Sequence, residues 1–351
     1  MAGFDDLNEF MKRMEPVRKV FGPVKAKAIP IWEDAICYDM DEVIALGKLG
    51  NAIEFSAFTG EEIDLEAKTA EFAEKLAKIH RKADAPEKIW LWPEGVLPTI
   101  TEYTDNSNHR FNHDPDFVPY MYEVLVPEDV TPVGAVVVCA GGDHGDATLK
   151  EGYQVAFDLR DMGYQCFVLL NRTNHSPWTN KEAGVDAARA IRYVRAHAAQ
   201  YRVPENHVAF AGFSNGGLTG EGCIEWYSGE QKVADIFAGY QADELDAYNG
   251  APDAFLCVYG PRFDGGDFDW NGVVYPPTFF AVGREDNAMK NLHYVYPDLL
   301  AHGVELEVHT FAGVPHGQAG VKAYDGCVKY PNFELWEVLA DAFMKDVYAK
   351  Q

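Results

Sequence analysis

The stretch Gly212-Phe213-Ser214-Asn215-Gly216 constrains this chain more than any other. It ends the apolar run His207-Val208-Ala209-Phe210-Ala211 and opens a glycine-rich segment, Gly216-Gly217-Leu218-Thr219-Gly220. A serine set between a strand and a helix needs a strained backbone. Glycines two before and two after it keep Cβ atoms out of the close approach that such a turn requires. Glycine and serine are also common in ordinary turns, so Gly-x-Ser-x-Gly gains meaning from strand before and helix after, and both are legible here.

From Pro132 onward the chain alternates strand and helix in the rhythm of a mostly parallel sheet. Ala135-Val136-Val137-Val138-Cys139 is apolar without alternation, which suits a strand covered on both faces. A helix over 149–162 should stop at Gly163, and Cys166 to Leu170 is the next buried strand. Thr179-Asn180-Lys181-Glu182 has capping-box form, with Ala187, Ile191, Val194 and Ala198 marking the buried side of the helix that follows. Ala254 to Tyr259 and Thr278 to Val282 continue the sheet. Glu305 to Thr310 alternates, as an edge strand with one wet face does. A helix over 333–348 closes the chain with Leu335, Leu339, Ala342 and Phe343 inward. Upstream, Met121 to Val126 alternates like a half-exposed strand. The fold class expected is α/β, a mostly parallel central sheet flanked by helices.

Residues 1–85 differ in texture, being charged and rich in Ala and Glu with few strand-like runs. They read as a mainly helical extension to a catalytic domain spanning 86–351. The clearest helix runs from Asp64 to about Lys82, with Ala70, Phe72, Ala73, Leu76 and Ile79 at helical spacing. An apolar face must pack on something: either the extension is a packing appendage, or it is a cap over the site or an arm for homo-oligomerisation.

Serine is a poor nucleophile near neutral pH. It needs a histidine to take its proton and a carboxylate to hold that histidine in the right tautomer. The order Ser, acid, His, each after a later strand, is the test a sequence permits. Asp286, in Val282-Gly283-Arg284-Glu285-Asp286, directly follows the Thr278 strand, and His316, in Val314-Pro315-His316-Gly317, follows the Glu305 strand. Glu285, Asp264, Asp267 and Asp269 compete for the acid. His293, His302 and His309 fall within expected helix or strand and compete less well for the base. Attack on a carbonyl also creates an oxyanion, which preorganised donors must meet. The backbone N–H of Asn215 is one candidate. Gly142 and Asp143, in Ala140-Gly141-Gly142-Asp143-His144-Gly145 after the Ala135 strand, supply the other, since glycines let backbone approach substrate closely. The competing assignment for that segment is a plain strand-to-helix turn.

Taken together, several pieces resemble the serine esterases of α/β-hydrolase fold related to acetyl xylan and feruloyl esterases. They are Leu91 to Gly95, Gly141-Gly142, Glu151-Gly152, Asp186 to Arg192, Gly212 to Gly217, Pro276-Pro277-Thr278, Gly283 to Asp286 and His316-Gly317, and the resemblance covers roughly residues 88–351. It implies the triad Ser214, Asp286 and His316, already reached from chain order, and a substrate that is an acetyl or aromatic acyl ester of a carbohydrate or small molecule. Relatives tend to carry a third glycine and an aromatic residue where this chain has Ala140 and Asp143. Trp178, Tyr259, Phe263 and Trp270 are candidates to stack on a sugar or phenolic ring, or else are loop anchors. A prolyl-oligopeptidase-like peptidase and a non-catalytic scaffold on the same fold are the alternatives, although no propeller repeat accompanies the domain.

Among the 351 residues, 55 are acidic against 30 basic, a formal charge of -25, which disfavours nucleic acid as a partner because phosphates are held by Lys and Arg. No stretch approaches the ~18 apolar residues of a membrane span, and no signal peptide is visible at the N-terminus, so a cytoplasmic location is expected. The six cysteines show no Cys-x-x-Cys spacing and read as small core residues. His109 and His113, with Asp114 and Asp116 nearby, lack the fixed geometry a zinc site requires, so neither a metal nor a cofactor is expected.

Overall fold

The computed structural model describes residues 7–102, 117–142, 144–174, 178–263, 268–320 and 330–351. They fall into two compact units that divide between Glu87 and Lys88.

The first unit is helical: α1 (Leu7–Val20), α2 (Gly22–Lys25), α3 (Ile29–Glu33), α4 (Met40–Thr59) and α5 (Leu65–Leu76). Asp39 caps α4 by accepting from the N–H groups of Asp41 and Glu42, and Gly60 ends it in the left-handed conformation. Asp64 caps α5 by accepting from Ala67 N–H. Buried Phe21, Trp32 and Phe72 form an edge-on aromatic cluster, with Phe72 4.9 Å from Phe21 and 6.1 Å from Trp32 between ring centroids. α5 stops at Leu76, short of the expected Lys82. Ile79 is buried outside the helix, and Lys82 N–H bonds Cys37 O at 2.8 Å, so the chain has already turned back on itself.

The second unit is built on a sheet of eight strands: β1 (Ile89–Trp90), β2 (Tyr120–Val124), β3 (Gly134–Cys139), β4 (Tyr164–Leu170), β5 (Val208–Phe213), β6 (Ala254–Val258), β7 (Thr278–Gly283) and β8 (Leu306–Phe311). Their order is β1-β2-β4-β3-β5-β6-β7-β8. β1 and β2 are antiparallel to their neighbours, and the other pairings are parallel. Every residue of β3 through β7 is buried, as continuous apolar runs require, whereas β8 lies at the edge with most of its residues half-buried. β2 departs from its alternating sequence. Only Glu123 is less than buried, and it accepts from Tyr201 O–H at 2.5 Å, so both faces of β2 are covered.

The helices that link the strands are α6 (Val155–Asp161), α7 (Asn180–Ala196), α8 (Ala198–Tyr201), α9 (Asn215–Tyr227), α10 (Val233–Ile236), α11 (Ala288–Ala301) and α12 (Leu335–Ala349). A seven-residue π-helix, Thr148–Gln154, precedes α6 where a plain α-helix was expected, and Gly163, at φ 103°, follows its end. The capping box of α7 is present, with Thr179 and Glu182 bonded to each other. On α12 the inward face is Trp336, Ala340, Phe343, Met344 and Val347. Leu335 and Ala342 are exposed and Leu339 half-buried, so of the four residues expected inward only Phe343 is buried, and the other three positions are displaced by one residue. Trp336 decides this by packing edge-on against Phe213 at the end of β5, 5.5 Å between centroids.

Arg172 and Asp186, neither with any exposed side-chain surface, form a bidentate pair at 2.7 and 2.9 Å. Trp92 Nε1 donates to the same carboxylate at 2.9 Å, so in this chain Trp92 and Asp186 are parts of one buried structural network. Cys37, Cys139, Cys166, Cys223 and Cys257 are free and buried, and Cys327 lies outside the described residues. Burial pushes the Cys223 thiol up to about 12, so it is no ready nucleophile. Among the described residues no helix is long and apolar enough to cross a membrane.

Candidate active site

Ser214 stands between β5 and α9 with φ 50° and ψ −114°. A non-glycine residue pays of order 1–3 kcal/mol for such a conformation, so the surroundings must enforce it. They do so through two hydrogen bonds and two glycines. Ser214 N–H bonds Val258 O, and Gly217 N–H bonds Ser214 O, both at 3.0 Å. A Cβ on Gly216 would lie 2.1 Å from Cys139 O, and one on Gly212 2.3 Å from Gly216 O, so only glycine fits either place. The turn leaves the Ser214 hydroxyl facing outward.

There Ser214 Oγ meets His316 Nε2 at 2.8 Å, and His316 Nδ1 meets Asp286 Oδ2 at 2.7 Å. Asp286 follows β7, is buried, and accepts Ala288 N–H at 2.8 Å on its other oxygen. A carboxylate only accepts, so the imidazole proton belongs on Nδ1, leaving Nε2 to accept from the serine. Burial lowers the His316 pKa, but the hydrogen bond and charge of Asp286 and the charge of Glu151 outweigh it, and the net shift is upward from 6.5.

The competing residues lie elsewhere. Glu285 and His293 are exposed, His302 stacks on Trp270 at 3.7 Å, and His309 pairs with Glu307. Asp269 is exposed, while Asp264 and Asp267 lie outside the described residues.

The glycine loop after β3 runs beside the serine. Gly142 has φ 63°, and its carbonyl accepts from Asn215 Nδ2 at 2.9 Å. Asn215 N–H is the first of α9 and has no intrahelical acceptor by position. Gly141 N–H is taken by Glu151 Oε2 at 2.7 Å, which leaves Gly142 as the described candidate in this loop; Asp143 lies outside the described residues.

The four candidate stacking aromatics do not converge. Trp178 is buried beneath Arg172, whose guanidinium is 5.6 Å from its ring. Tyr259 is buried against His316, 4.9 Å between ring centroids, and serves the site from within. Both are therefore anchors; neither presents a face to a ligand. Trp270 packs among His302, Phe268 and Tyr275. Phe263 is 66% exposed and lines a cavity of about 420 Å³ along α9, with Leu218, Glu221, Glu225, Trp226 and Arg262. Ser214 is not part of that lining, although Leu218 lies one helical turn beyond it. Two residues had no assigned role in the sequence: Glu151, whose only signal was its place among the resembling pieces, and Tyr259 as a hydrogen-bond donor.

Among the described residues no group of three or more His, Cys, Asp or Glu is placed to hold a metal ion. The segment with His109, His113, Asp114 and Asp116 lies outside them.

The strand order, the positive-φ serine after β5 and the acid and histidine after β7 and β8 match a known architecture. The chain has the α/β-hydrolase fold. Among solved structures it is similar to an acetyl ester-xyloside bifunctional hydrolase from Caldicellulosiruptor lactoaceticus, with 22% identity and a TM-score of 0.53 over 74% of this chain and 96% of that one. A thermophilic esterase from the planctomycete Thermogutta terrifontis is similar too, at 19% identity and a TM-score of 0.51 over 73% and 96% of the two chains. The form of Thermogutta terrifontis esterase 2 phosphorylated by paraoxon matches at 18% identity and a TM-score of 0.51, covering 76% of this chain and 96% of that one. At these identities the likeness establishes the α/β-hydrolase fold. No family model matches the chain. It is 26% identical over 125 residues to endo-1,4-beta-xylanase B of Butyrivibrio fibrisolvens, a match over 34% of this chain that spans only 20% of that protein's length.

Proposed function

We propose that this α/β-hydrolase-fold chain is a serine carboxylic-ester hydrolase. The observation that carries the proposal is the continuous relay from Ser214 Oγ to His316 Nε2 at 2.8 Å and from His316 Nδ1 to Asp286 Oδ2 at 2.7 Å, on a serine held at positive φ. Ser214 attacks the ester carbonyl while His316 takes its proton. The oxyanion is met by the N–H of Asn215 and a second N–H from Gly142 or Asp143. His316 then gives the proton to the leaving alcohol, and an acyl-enzyme remains on Ser214. Water, deprotonated by His316, releases the acid and restores the serine. Asp286 holds the imidazole tautomer and stabilises the imidazolium. Loss of one oxyanion donor typically costs about 2.7–4 kcal/mol of transition-state stabilisation.

Acetyl and aromatic acyl esters of carbohydrates or small molecules are the proposed substrates. The motif resemblance supports both, and the name of one structural neighbour, an acetyl ester-xyloside bifunctional hydrolase, supports the acetyl esters. A neighbour phosphorylated by paraoxon has the reactivity this reading expects of Ser214. The test is an ester panel from acetyl to feruloyl, with matched amides, run on the wild type and Ser214→Ala. Ester turnover abolished by the substitution is expected. Undiminished turnover in Ser214→Ala would end the proposal, and amides turned over better than esters would make the chain a peptidase.

A further inference from the structure

We propose that Glu151 is a positioning residue that ties the glycine loop to the histidine loop, holding the oxyanion donors and the general base in one register. The inference rests on the serine-hydrolase mechanism above and deepens it. Glu151 lies in the π-helix Thr148–Gln154 and is 6% exposed. A carboxylate at that depth needs partners, and it has one on each oxygen. Oε2 accepts Gly141 N–H and Oε1 accepts Tyr259 O–H, both at 2.7 Å.

The tyrosine carries the connection onward. Tyr259 Oη accepts Ala319 N–H at 3.2 Å, three residues past His316, and its ring packs edge-on against the imidazole. It does this at φ 41°, a conformation costly for an aromatic residue, immediately after Val258, whose carbonyl holds Ser214 N–H. The same π-helix touches the histidine loop a second time, where Gly320 packs on Lys150 O so closely that a Cβ would lie 1.6 Å from it. On the other side, a Cβ on Gly141 would sit 2.7 Å from Glu151 Oε2 and 2.8 Å from Ser214 Cβ, so the loop is drawn in to the limit of contact. One buried carboxylate thus links segments 140–142, 259–260 and 316–319. Removing it frees both the oxyanion loop and the base.

Among the described residues Asp286, Ser214 and Tyr259 contact the His316 ring, and the Glu151 charge acts with Asp286 to raise its pKa against the opposing effect of burial. Glu151→Gln keeps the shape and removes the charge. The pH profile of kcat/KM on a short-chain nitrophenyl ester should show its acidic limb at lower pH than in the wild type. kcat should fall by roughly 10- to 100-fold, the range a small misplacement of reacting groups produces, with KM nearly unchanged. Tyr259→Phe keeps the charge but cuts the link, so kcat should fall while the acidic limb does not move to lower pH; this variant carries the test should Glu151→Gln fail to fold. An unmoved limb in a folded Glu151→Gln, or wild-type kcat in Tyr259→Phe, overturns the assignment. Ser214→Ala run alongside separates the two claims. Retained turnover there refutes the serine mechanism itself, whereas loss there beside an unaltered Glu151→Gln refutes only the role of Glu151.

Discussion

Asp286→Asn replaces one oxygen by an amide nitrogen and should remove nearly all turnover. Asp286 Oδ1 accepts Ala288 N–H at 2.8 Å, so an asparagine must keep its oxygen there and turn its NH₂ toward His316 Nδ1. Nδ1, now 2.7 Å from a carboxylate, would have to become an acceptor. The ring proton would move to Nε2, facing Ser214 Oγ at 2.8 Å, and the imidazole could no longer take the serine proton. A trapped wrong tautomer costs on the order of 10⁴ in kcat, or about 5.4 kcal/mol at about 1.36 kcal/mol per tenfold. The fold should hold, because size and the bond to Ala288 are kept. The wild-type kcat/KM should rise with pH through the raised His316 pKa, since only neutral imidazole is a base. Burial lowers that pKa and Asp286 is the first cause that raises it, so residual activity in Asp286→Asn should have its acidic limb at lower pH. Initial rates on a nitrophenyl ester across the pH range, with thermal melts of both proteins, check this. A variant within tenfold of wild type, or with an unmoved limb, would refute the tautomer argument.

Gly216→Ala puts a Cβ 2.1 Å from Cys139 O, a backbone atom of a central strand that cannot swing aside, so it should cost at least the ~1–3 kcal/mol of ordinary overpacking, read by urea unfolding. Asp186→Asn leaves the fully buried Arg172 guanidinium without its counter-charge and should destabilise by about 3–5 kcal/mol in the same assay, with the active-site geometry untouched. Asn215→Ala removes the 2.9 Å bond that anchors Gly142 O, worth about 0.5–1.5 kcal/mol, and should lower kcat by up to about tenfold without abolishing labelling of the serine.

The parts that were legible in the sequence are those that local rules dictate. β3 to β7 are apolar runs, the α7 cap is a four-residue pattern, and Ser214, Asp286 and His316 follow β5, β7 and β8 in the order the fold imposes. The parts that were not legible are set by contacts distant in sequence. α12 carries apolar residues on more than one face, and only the packing of Trp336 on Phe213 selects which turns inward. β2 alternates in sequence, yet Glu123 is partnered by Tyr201, so the polar position does not mark a wet face. The link from Glu151 to Tyr259 joins residues 108 apart, and no local spacing announces it. Trp178 and Tyr259 were candidates for stacking because they are aromatic and lie in loops, but a loop aromatic serves equally as a buried wedge, and burial is a property of the folded chain.

The nucleophilicity of Ser214 is tested most directly by incubating the full chain with a fluorophosphonate and measuring its intact mass, followed by peptide mapping. A single adduct on Ser214 in the wild type, absent from Ser214→Ala, is the result predicted. An unlabelled wild type, or an adduct on another residue that persists in Ser214→Ala, would contradict it.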